Sequence, residues 1–280
     1  MQDKDALSTL NWLVEAGADE AVGDAPVNRL VAKAIPPAPV SETISTHPVS
    51  PRPSPPAARK EDAAPADTDA IGIAQRSAAA ATSLAELKAA LDAFEGCALK
   101  RTATTTVFAD GTPAGGIMFI GEAPGRDEDR AGKPFVGRAG QLLDRMLASI
   151  GLSRQTNSYI TNVINWRPPD NRDPTPEEAA ICLPFLRRHI ELADPKVIVL
   201  LGAVAARHVV GLTDGIMRSR GRWLEYRLGA QMVPLLLTLH PAYLLRQPAH
   251  KKLAWRDLQS LAAKIESLGL LEPQTRVNQN

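Results

Sequence analysis

The 280-residue sequence predicts an α/β fold: a three-layer α/β/α sandwich around a four-stranded parallel sheet, with a disordered N-terminal extension. Two observations carry this prediction. Short apolar runs of strand length alternate four times with amphipathic stretches of helical length between residues 116 and 268. The segment 35–59, in contrast, is rich in proline and nearly free of large apolar residues, so it cannot bury enough surface to offset its chain entropy.

The chain is accordingly divided into four segments: a short N-terminal helix within 1–25, a Pro/Ala-rich disordered linker at 26–81, a folded domain at 82–270 and a tail at 271–280. Apolar residues recur at helical spacing near the start of the chain, which predicts a helix over residues 5–22. A helix this short is marginal alone. Weak docking on the folded domain and binding to a protein partner are therefore both open.

Elements of the folded domain follow in order. A capping box at Thr82–Ser83 with Glu86 starts a helix that ends near Gly96, and β-branched residues 102–108 predict a short strand or hairpin arm. Four strand–helix units come next: strand 116–120 with helix 138–150, strand 158–163 with helix 177–192, strand 197–201 with helix 203–210, and strand 233–238 with helix 251–268. Right-handed crossovers bring the four loops after these strands to one rim of the sheet.

Bulk composition limits the function classes. The net charge of +1 combines a net of −4 over residues 1–81, from 7 basic and 11 acidic residues, with +5 over the remainder, which permits a polyanionic partner without requiring one. No apolar run reaches the ~18 residues of a membrane span, and the N-terminus lacks the features of a secretion signal, so a cytoplasmic protein is expected. Cys97 and Cys182 offer no disulfide framework and are interpreted as reduced thiols.

Three of the four loops carry unusual residues. The loop GEAPGRDED at 121–129 can turn backbone N–H groups toward a carbonyl oxygen or a phosphate, but it lacks the Gly-Lys-Ser/Thr of a phosphate-binding loop and the dinucleotide fingerprint spacing. Glu122 has two interpretations. Its carboxylate either acts in the site, where it orients water or stabilises a developing cation, or it is a charge at a helix entrance. Asp127, Glu128 and Asp129 are interpreted as helix-entrance charges. The loop after the third strand, at Gly202, is interpreted as an ordinary helix start.

The remaining candidates each have a functional and a structural interpretation. Phe135 stacks on a flat ligand or fills the core; Asn162 recognises an amide-like base edge or forms a turn. His240 donates a hydrogen bond to an oxygen that gains negative charge, and it is the histidine with a site-like context. The segment 244–246 is either an apolar wedge with a cation for a DNA phosphate, or a helix start that packs on the core.

Taken together, the motifs GEAPGRDED with KPFVGRAGQLLD, YITNVINWRPPDNRDPTPEE and LHPAYLLR resemble those of the uracil-DNA glycosylase superfamily, most closely its family 4, over about residues 97–268. The resemblance implies flipping of uracil out of DNA and hydrolysis of its N-glycosidic bond in base excision repair. It implies that Phe135 stacks on uracil, that Asn162 recognises its pairing edge, and that His240 with the amides of Glu122 and Ala123 holds its O2 oxygen. The residues it assigns to DNA contact are Arg138, Leu244, Leu245 and Arg246.

Two features qualify the resemblance. Ala123 occupies the position where the best-known branch has a water-activating Asp; family 4 shares the Ala, so the water-activating role is open between Glu122 and no single base. Family 4 also carries an iron–sulfur cluster on four cysteines, and here Cys97 and Cys182 match the second and fourth, while Phe94 and Trp166 stand at the first and third. Two thiolates cannot hold a four-iron cluster, so no cofactor is expected and the two aromatic residues are predicted to fill its volume.

Other functions remain open. One alternative is a non-catalytic module that binds uracil or abasic sites in DNA, and another is a glycosylase for a different damaged base. A branch that traps the abasic sugar covalently uses a His in a basic insertion; residues 170–178, DNRDPTPEE, contain neither, so no covalent adduct is expected. The protein is expected to act as a monomer, with uracil-containing DNA as its partner.

Overall fold

A computed structural model describes residues 69–270. The helix predicted over 5–22, most of the predicted linker and the tail at 271–280 lie outside these residues. Among the described helices, none is both long enough and apolar enough to cross a membrane.

The centre of the fold is a six-stranded sheet with the strand order β1-β3-β2-β4-β6-β5. Its strands are β1 (Asp110–Gly111), β2 (Ile117–Gly121), β3 (Ser158–Asn162), β4 (Val197–Leu201), β5 (Trp223–Leu228) and β6 (Gln231–Thr238). The four predicted strands β2, β3, β4 and β6 are parallel, which confirms the predicted sheet. Two antiparallel edge strands were not predicted: the two-residue β1, and β5, which forms a hairpin with β6.

Helices cover both faces of the sheet, as the sequence predicts. They are α1 (Ala70–Ala80), α2 (Leu84–Ala93), α3 (Arg126–Ala131), α4 (Arg138–Ala148), α5 (Pro176–Ala193), α6 (Ala203–Val210), α7 (Ile216–Ser219), α8 (Pro241–Arg246) and α9 (Lys251–Ser267). Alternate residues of β2 enter two separate cores: Met118 and Ile120 join the helix α1, α2, α5 and α6 side, whereas Ile117 and Phe119 join the α4 and α9 side. This alternation fixes the register of the sheet.

The structure corrects two predicted elements. The linker was predicted to extend to residue 81, but residues 70–80 form α1, whose buried stripe is Ala70, Ala74 and Ala78. Alanine favours helix and its small side chain allows α1 to pack closely on α5, so a core face without large apolar residues escaped the sequence analysis. The segment 102–108 is not a strand; its Val107 N–H bonds the Asn165 carbonyl as an isolated contact.

The carboxyl ends of the four parallel strands lie at one rim, where β2 ends at Gly121, β3 at Asn162, β4 at Leu201 and β6 at Thr238. Gly121 and Asn162 are directly opposite each other in the β2–β3 pair. The loops that follow these strands therefore start within a few residues of one another. Ligands of open α/β sheets bind at such a rim.

Candidate active site

A cavity of about 460 Å³ opens at this rim between the loops that follow β2, β3, β4 and β6. Six of the predicted site residues line it: Glu122, Ala123, Phe135, Asn162, His240 and Arg246. These residues span more than 120 positions of the sequence, so their convergence is a property of the fold. The sequence motifs predict these residues, and the parallel sheet brings them together.

Asn162 presents a buried amide to the cavity. The residue is 2% exposed, and its Oδ1 has no hydrogen-bond partner among the described residues. A buried acceptor without a partner costs about 1–3 kcal/mol, and a donor on a bound molecule removes this cost. Asn162 is therefore poised to accept from an N–H group of a molecule in the cavity.

Phe135 forms an adjoining wall. Its ring centroid lies 5.4 Å from that of His240, and the residue is 5% exposed. A Cβ at Gly121 would lie 2.5 Å from both the Phe135 ring and Asn162 Oδ1, so the glycine at the end of β2 is what permits this arrangement. The core-filling and ligand-stacking interpretations of Phe135 are compatible, because the ring is packed on one side and lines the cavity on the other.

His240 is the N-cap residue of α8, and its ring orientation follows from that role. Nδ1 accepts a hydrogen bond from the Ala242 N–H at 3.1 Å. Burial, with a smaller contribution from the charge of Arg246, lowers the pKa of His240 to about 4. The imidazole is consequently neutral at physiological pH, with its proton on Nε2, and it can donate that proton in a hydrogen bond.

The pKa of Glu122 is shifted in the opposite direction from that of His240. Burial raises the pKa of this carboxyl group to about 7, and the negative charge of Asp173 adds to the effect, whereas Arg207 and Arg246 oppose it. Glu122 is thus divided between its neutral and charged forms near neutral pH. A carboxyl group with such a pKa in a cavity is typical of a functional site.

Two residues of the site have the helix-start roles that the sequence predicts, Glu128 in the first turn of α3 and Gly202 as the N-cap of α6, but each also makes contacts that the sequence does not predict. The half-buried Glu128 carboxylate connects the two ends of the loop around α3. Oε1 accepts from the Val136 and Gly137 N–H groups at 3.0 and 2.9 Å, and Oε2 accepts from the Gly125 N–H at 3.2 Å. Only the last contact has a sequence signal, the capping-box spacing of Glu128 three residues after Gly125.

The loop after β4 also contributes to the cavity, although its sequence was interpreted as an ordinary helix start. Gly202 has a φ of 94°, a conformation that favours glycine, and lines the cavity. A Cβ at this position would lie 2.9 Å from His240 Cβ. Gly202 therefore leaves the space that His240 occupies.

The predicted DNA contacts divide into two groups. Leu244 is 1% exposed and packs in an apolar cluster with Leu142 and Leu239, so its assignment to DNA contact is wrong and the alternative of core packing is correct. Leu245 is half-buried, and Arg246 is exposed on the last turn of α8. Arg138 is exposed at the start of α4, in a shallow polar depression that Arg126 and Arg167 also line.

The positions of the family-4 cluster form an aromatic core in this protein. The ring centroid of Phe94 lies 6.4 Å from that of Trp166 and 5.1 Å from that of Phe185. Cys97 and Cys182 are free, fully buried thiols, and their mutual hydrogen bond together with burial raises the pKa of Cys182. Within residues 69–270, no group of three or more His, Cys, Asp or Glu side chains could hold a metal ion. These side chains do not fit a four-iron cluster, which requires four such ligands.

Comparison with known proteins agrees with this geometry. The family model of the Uracil DNA glycosylase superfamily matches residues 108–259, and the chain belongs to that superfamily. Type-4 uracil-DNA glycosylases are among its relatives. That of Archaeoglobus fulgidus is 47% identical over 156 residues, 54% of this chain and 78% of the relative. Those of Thermotoga maritima and Pyrobaculum aerophilum are 40% and 39% identical, over 62% and 58% of this chain and 90% and 84% of the relatives. Within the superfamily, the chain is a family 4 member.

Proposed function

We propose that this protein is a uracil-DNA glycosylase, which flips uracil out of DNA and hydrolyses its N-glycosidic bond to leave an abasic site for base excision repair. The observation that carries the proposal is the buried Asn162 Oδ1, which has no partner within residues 69–270 and lies beside the Phe135 ring and the His240 imidazole. The N3–H group of uracil is a donor of the kind that Asn162 lacks. Membership of the superfamily and the type-4 relatives support the same function.

In the proposed reaction, the flipped base stacks on Phe135 while Asn162 binds its pairing edge. The bond between the base nitrogen and the sugar C1′ breaks, and its electron pair leaves with the base, which becomes a uracil anion. His240 donates from Nε2 to the O2 oxygen, where the negative charge collects. Water then forms a bond to the cationic C1′ and releases a proton, which balances the negative charge of the departing uracil anion. The Glu122 carboxylate stabilises that cation or orients the water. Arg138 and Arg246 bind DNA phosphates, and Leu245 fills the space in the duplex that the flipped base leaves.

The test is release of uracil from single- and double-stranded oligonucleotides that contain one uracil. Asn162→Ala is expected to lower the single-turnover rate about 100-fold or more, because one base-recognition hydrogen bond is lost in a buried site. Gln259→Ala, which removes an exposed amide on α9, is the matched control and should retain the wild-type rate. A wild-type protein that binds uracil-containing DNA but releases no base would instead favour the non-catalytic binding module. Release of another damaged base but not uracil would favour the third alternative.

The aromatic core at the cluster positions supports a second part of the proposal, that the chain folds and acts without an iron–sulfur cluster. Phe94, Trp166 and Phe185 occupy the volume with apolar side chains that cannot bind iron. Freshly purified protein is expected to contain well under one iron per chain. About four irons per chain, with the accompanying visible absorbance, would contradict this.

We also propose that the chain acts on DNA as a monomer and that residues 1–25 contact a protein partner. The apolar stripe of the predicted helix 5–22, followed by a proline-rich span, supports the second point. Because α1 begins at Ala70, the informative deletion removes residues 1–68 and leaves α1 in place. We expect this deletion to retain uracil release.

A further inference from the structure

A buried arginine outside the cavity holds the loop that carries Phe135. Arg154 lies in the turn before β3 and is 8% exposed. Its guanidinium group donates from Nη1 to the Pro134 carbonyl at 2.7 Å and from Nη2 to the Phe135 carbonyl. One planar side chain thus binds two successive backbone carbonyls of this loop.

Two carboxylates fix the guanidinium group in turn. Nε donates to Asp144 Oδ1 on α4 at 2.7 Å, and Nη1 donates to Asp110 Oδ2 in β1 at 3.2 Å. Asp110 also forms an ion pair with Lys133 at 3.2 Å, at the start of the same loop. Because these partners come from an edge strand, a helix and the loop itself, Arg154 has a defined position and transmits it to residues 134 and 135.

The backbone of Phe135 requires such support. Its φ is 54°, in the left-handed region that residues with a Cβ rarely adopt. The loop is also packed against the first turn of α4, where a Cβ at Gly140 would overlap the Phe135 carbonyl. Without the two hydrogen bonds from Arg154, Phe135 can relax to negative φ, and relaxation at this residue turns the direction of its own side chain.

We propose that Arg154 is a positioning residue for base recognition: it holds Phe135 in a strained backbone conformation so that the ring forms the stacking wall of the cavity. The inference rests on the proposed function, because it assigns the purpose of that wall. Lysine cannot replace Arg154 in this role. An ammonium group lacks the planar fork that binds two carbonyls and two carboxylates at once.

The first test does not depend on activity. Hydrogen exchange of the peptide containing residues 133–138 is compared in wild type, Arg154→Met and Arg154→Lys, with Arg145→Met as the control for loss of an exposed arginine on α4. We expect exchange in this peptide to be at least about 10-fold faster in both Arg154 variants and unchanged in the control. Unchanged exchange in Arg154→Met would overturn the proposal. If that variant does not fold, Asp144→Asn removes one carboxylate from the same guanidinium group and replaces it in the test.

The second test is a double-mutant cycle on single-turnover uracil release. Arg154→Met is expected to lower the rate about 10-fold or more when Phe135 is present, because a small displacement of a positioning group has a large effect on rate. In a Phe135→Ala background, the same substitution should change the rate by no more than about two-fold, since the ring it positions is absent. An equal effect in both backgrounds would show a merely structural role. A wild-type protein without activity would contradict the proposed function, and the exchange test would then decide the role of Arg154.

Discussion

Three residues that line the cavity at the rim each carry an energetic cost. Asn162 Oδ1 is buried without a partner among residues 69–270, Glu122 has its pKa raised, and Phe135 has a positive φ. Other buried polar groups are paired, such as the Tyr159 hydroxyl, which contacts His189 Nε2 at 2.9 Å in the opposite core, whereas the Ser158 and Ser219 hydroxyls, outside the cavity, also lack a partner among the described residues. These three residues line one cavity, and local costs of this kind are typical of functional sites.

The pKa of Glu122 leads to a prediction for pH dependence. If the carboxylate stabilises the sugar cation, only its charged form is active, and this form is depleted below the pKa of about 7. The single-turnover rate should then rise about 10-fold per pH unit below pH 7 and become constant above it. The pKa of His240 is lowered to about 4, so this residue stays neutral between pH 5 and 8. It therefore adds no second pH-dependent region to the rate profile. The measurement is the rate against pH with saturating enzyme.

Glu122→Gln provides the control for this prediction. It should be slower and have a flat pH profile between pH 5 and 8. It should also be more stable than wild type at pH 8: the folded-state pKa lies above the unfolded value of 4.5, so wild type loses stability as pH rises between the two. A Glu122→Gln variant that retained the pH-dependent limb would exclude Glu122 as its source.

At the scale of elements, the turn between β4 and α6 is predicted to control the position of His240. Gly202→Ala places a methyl group 2.9 Å from His240 Cβ and also pays the cost of a φ of 94°, so it should lower both stability and uracil release. Gly229→Ala is the matched control: it lies in the β5–β6 hairpin turn with a φ of 58°, and its Cβ would meet nothing within 4 Å. Gly229→Ala should lose about 1–2 kcal/mol of unfolding free energy, and Gly202→Ala should lose more, because its methyl group also displaces His240.

The loss of stability and the loss of activity can be separated by measuring uracil release at a temperature where both glycine variants are folded. Only Gly202→Ala should be slow, because only its methyl group reaches the site. Equal activity of the two variants would show that the contact between Gly202 and His240 has no catalytic consequence.

The elements of this fold differ in how clearly their sequences predict them. Parallel strands such as β2 and β4 were predicted because burial on both faces leaves a continuous apolar run. The strand β5 was missed because it is an edge strand with a half-exposed sequence, WLEYRL, whose strand character depends on pairing with β6. The helix α1 was missed because its buried face consists of alanines, which have no distinctive hydrophobic periodicity.

The residues of the site also differ in how clearly the sequence predicts their roles. Glu122, Asn162 and His240 are predicted because each lies at or just after the carboxyl end of a recognisable strand. Glu128 was not, since its two N–H partners at 136 and 137 become neighbours only when the loop folds back. Gly202 was not, because neither its positive φ nor its proximity to His240 can be read from its neighbours in sequence.

At the scale of the whole molecule, protonation of the buried histidines and protonation of Glu122 have opposing effects on the free energy of unfolding. His189 lies in the core on the α5 side of the sheet, stacked on Phe108 at a centroid distance of 4.2 Å, and burial lowers its pKa to about 3. His240 at the rim has the same sign of shift, whereas Glu122 has the opposite sign. Acidification below pH 6 therefore destabilises the fold through the two histidines and stabilises it through the glutamate.

A substitution of His189 separates these contributions. In the unfolded chain His189 binds a proton below its ordinary pKa of 6.5, but in the folded state it stays neutral down to about 3, so its contribution to stability is lost as pH falls through this window. His189→Gln places an amide at the Nε2 position for Tyr159 and removes the titration. The difference in unfolding free energy between wild type and variant should change by about 1.4 kcal/mol per pH unit between pH 6 and 4. Tyr159→Phe, which removes the hydroxyl but keeps the imidazole, should shift stability by a constant amount over this range. Parallel curves for wild type and His189→Gln in chemical denaturation would mean that His189 is protonated in the folded protein.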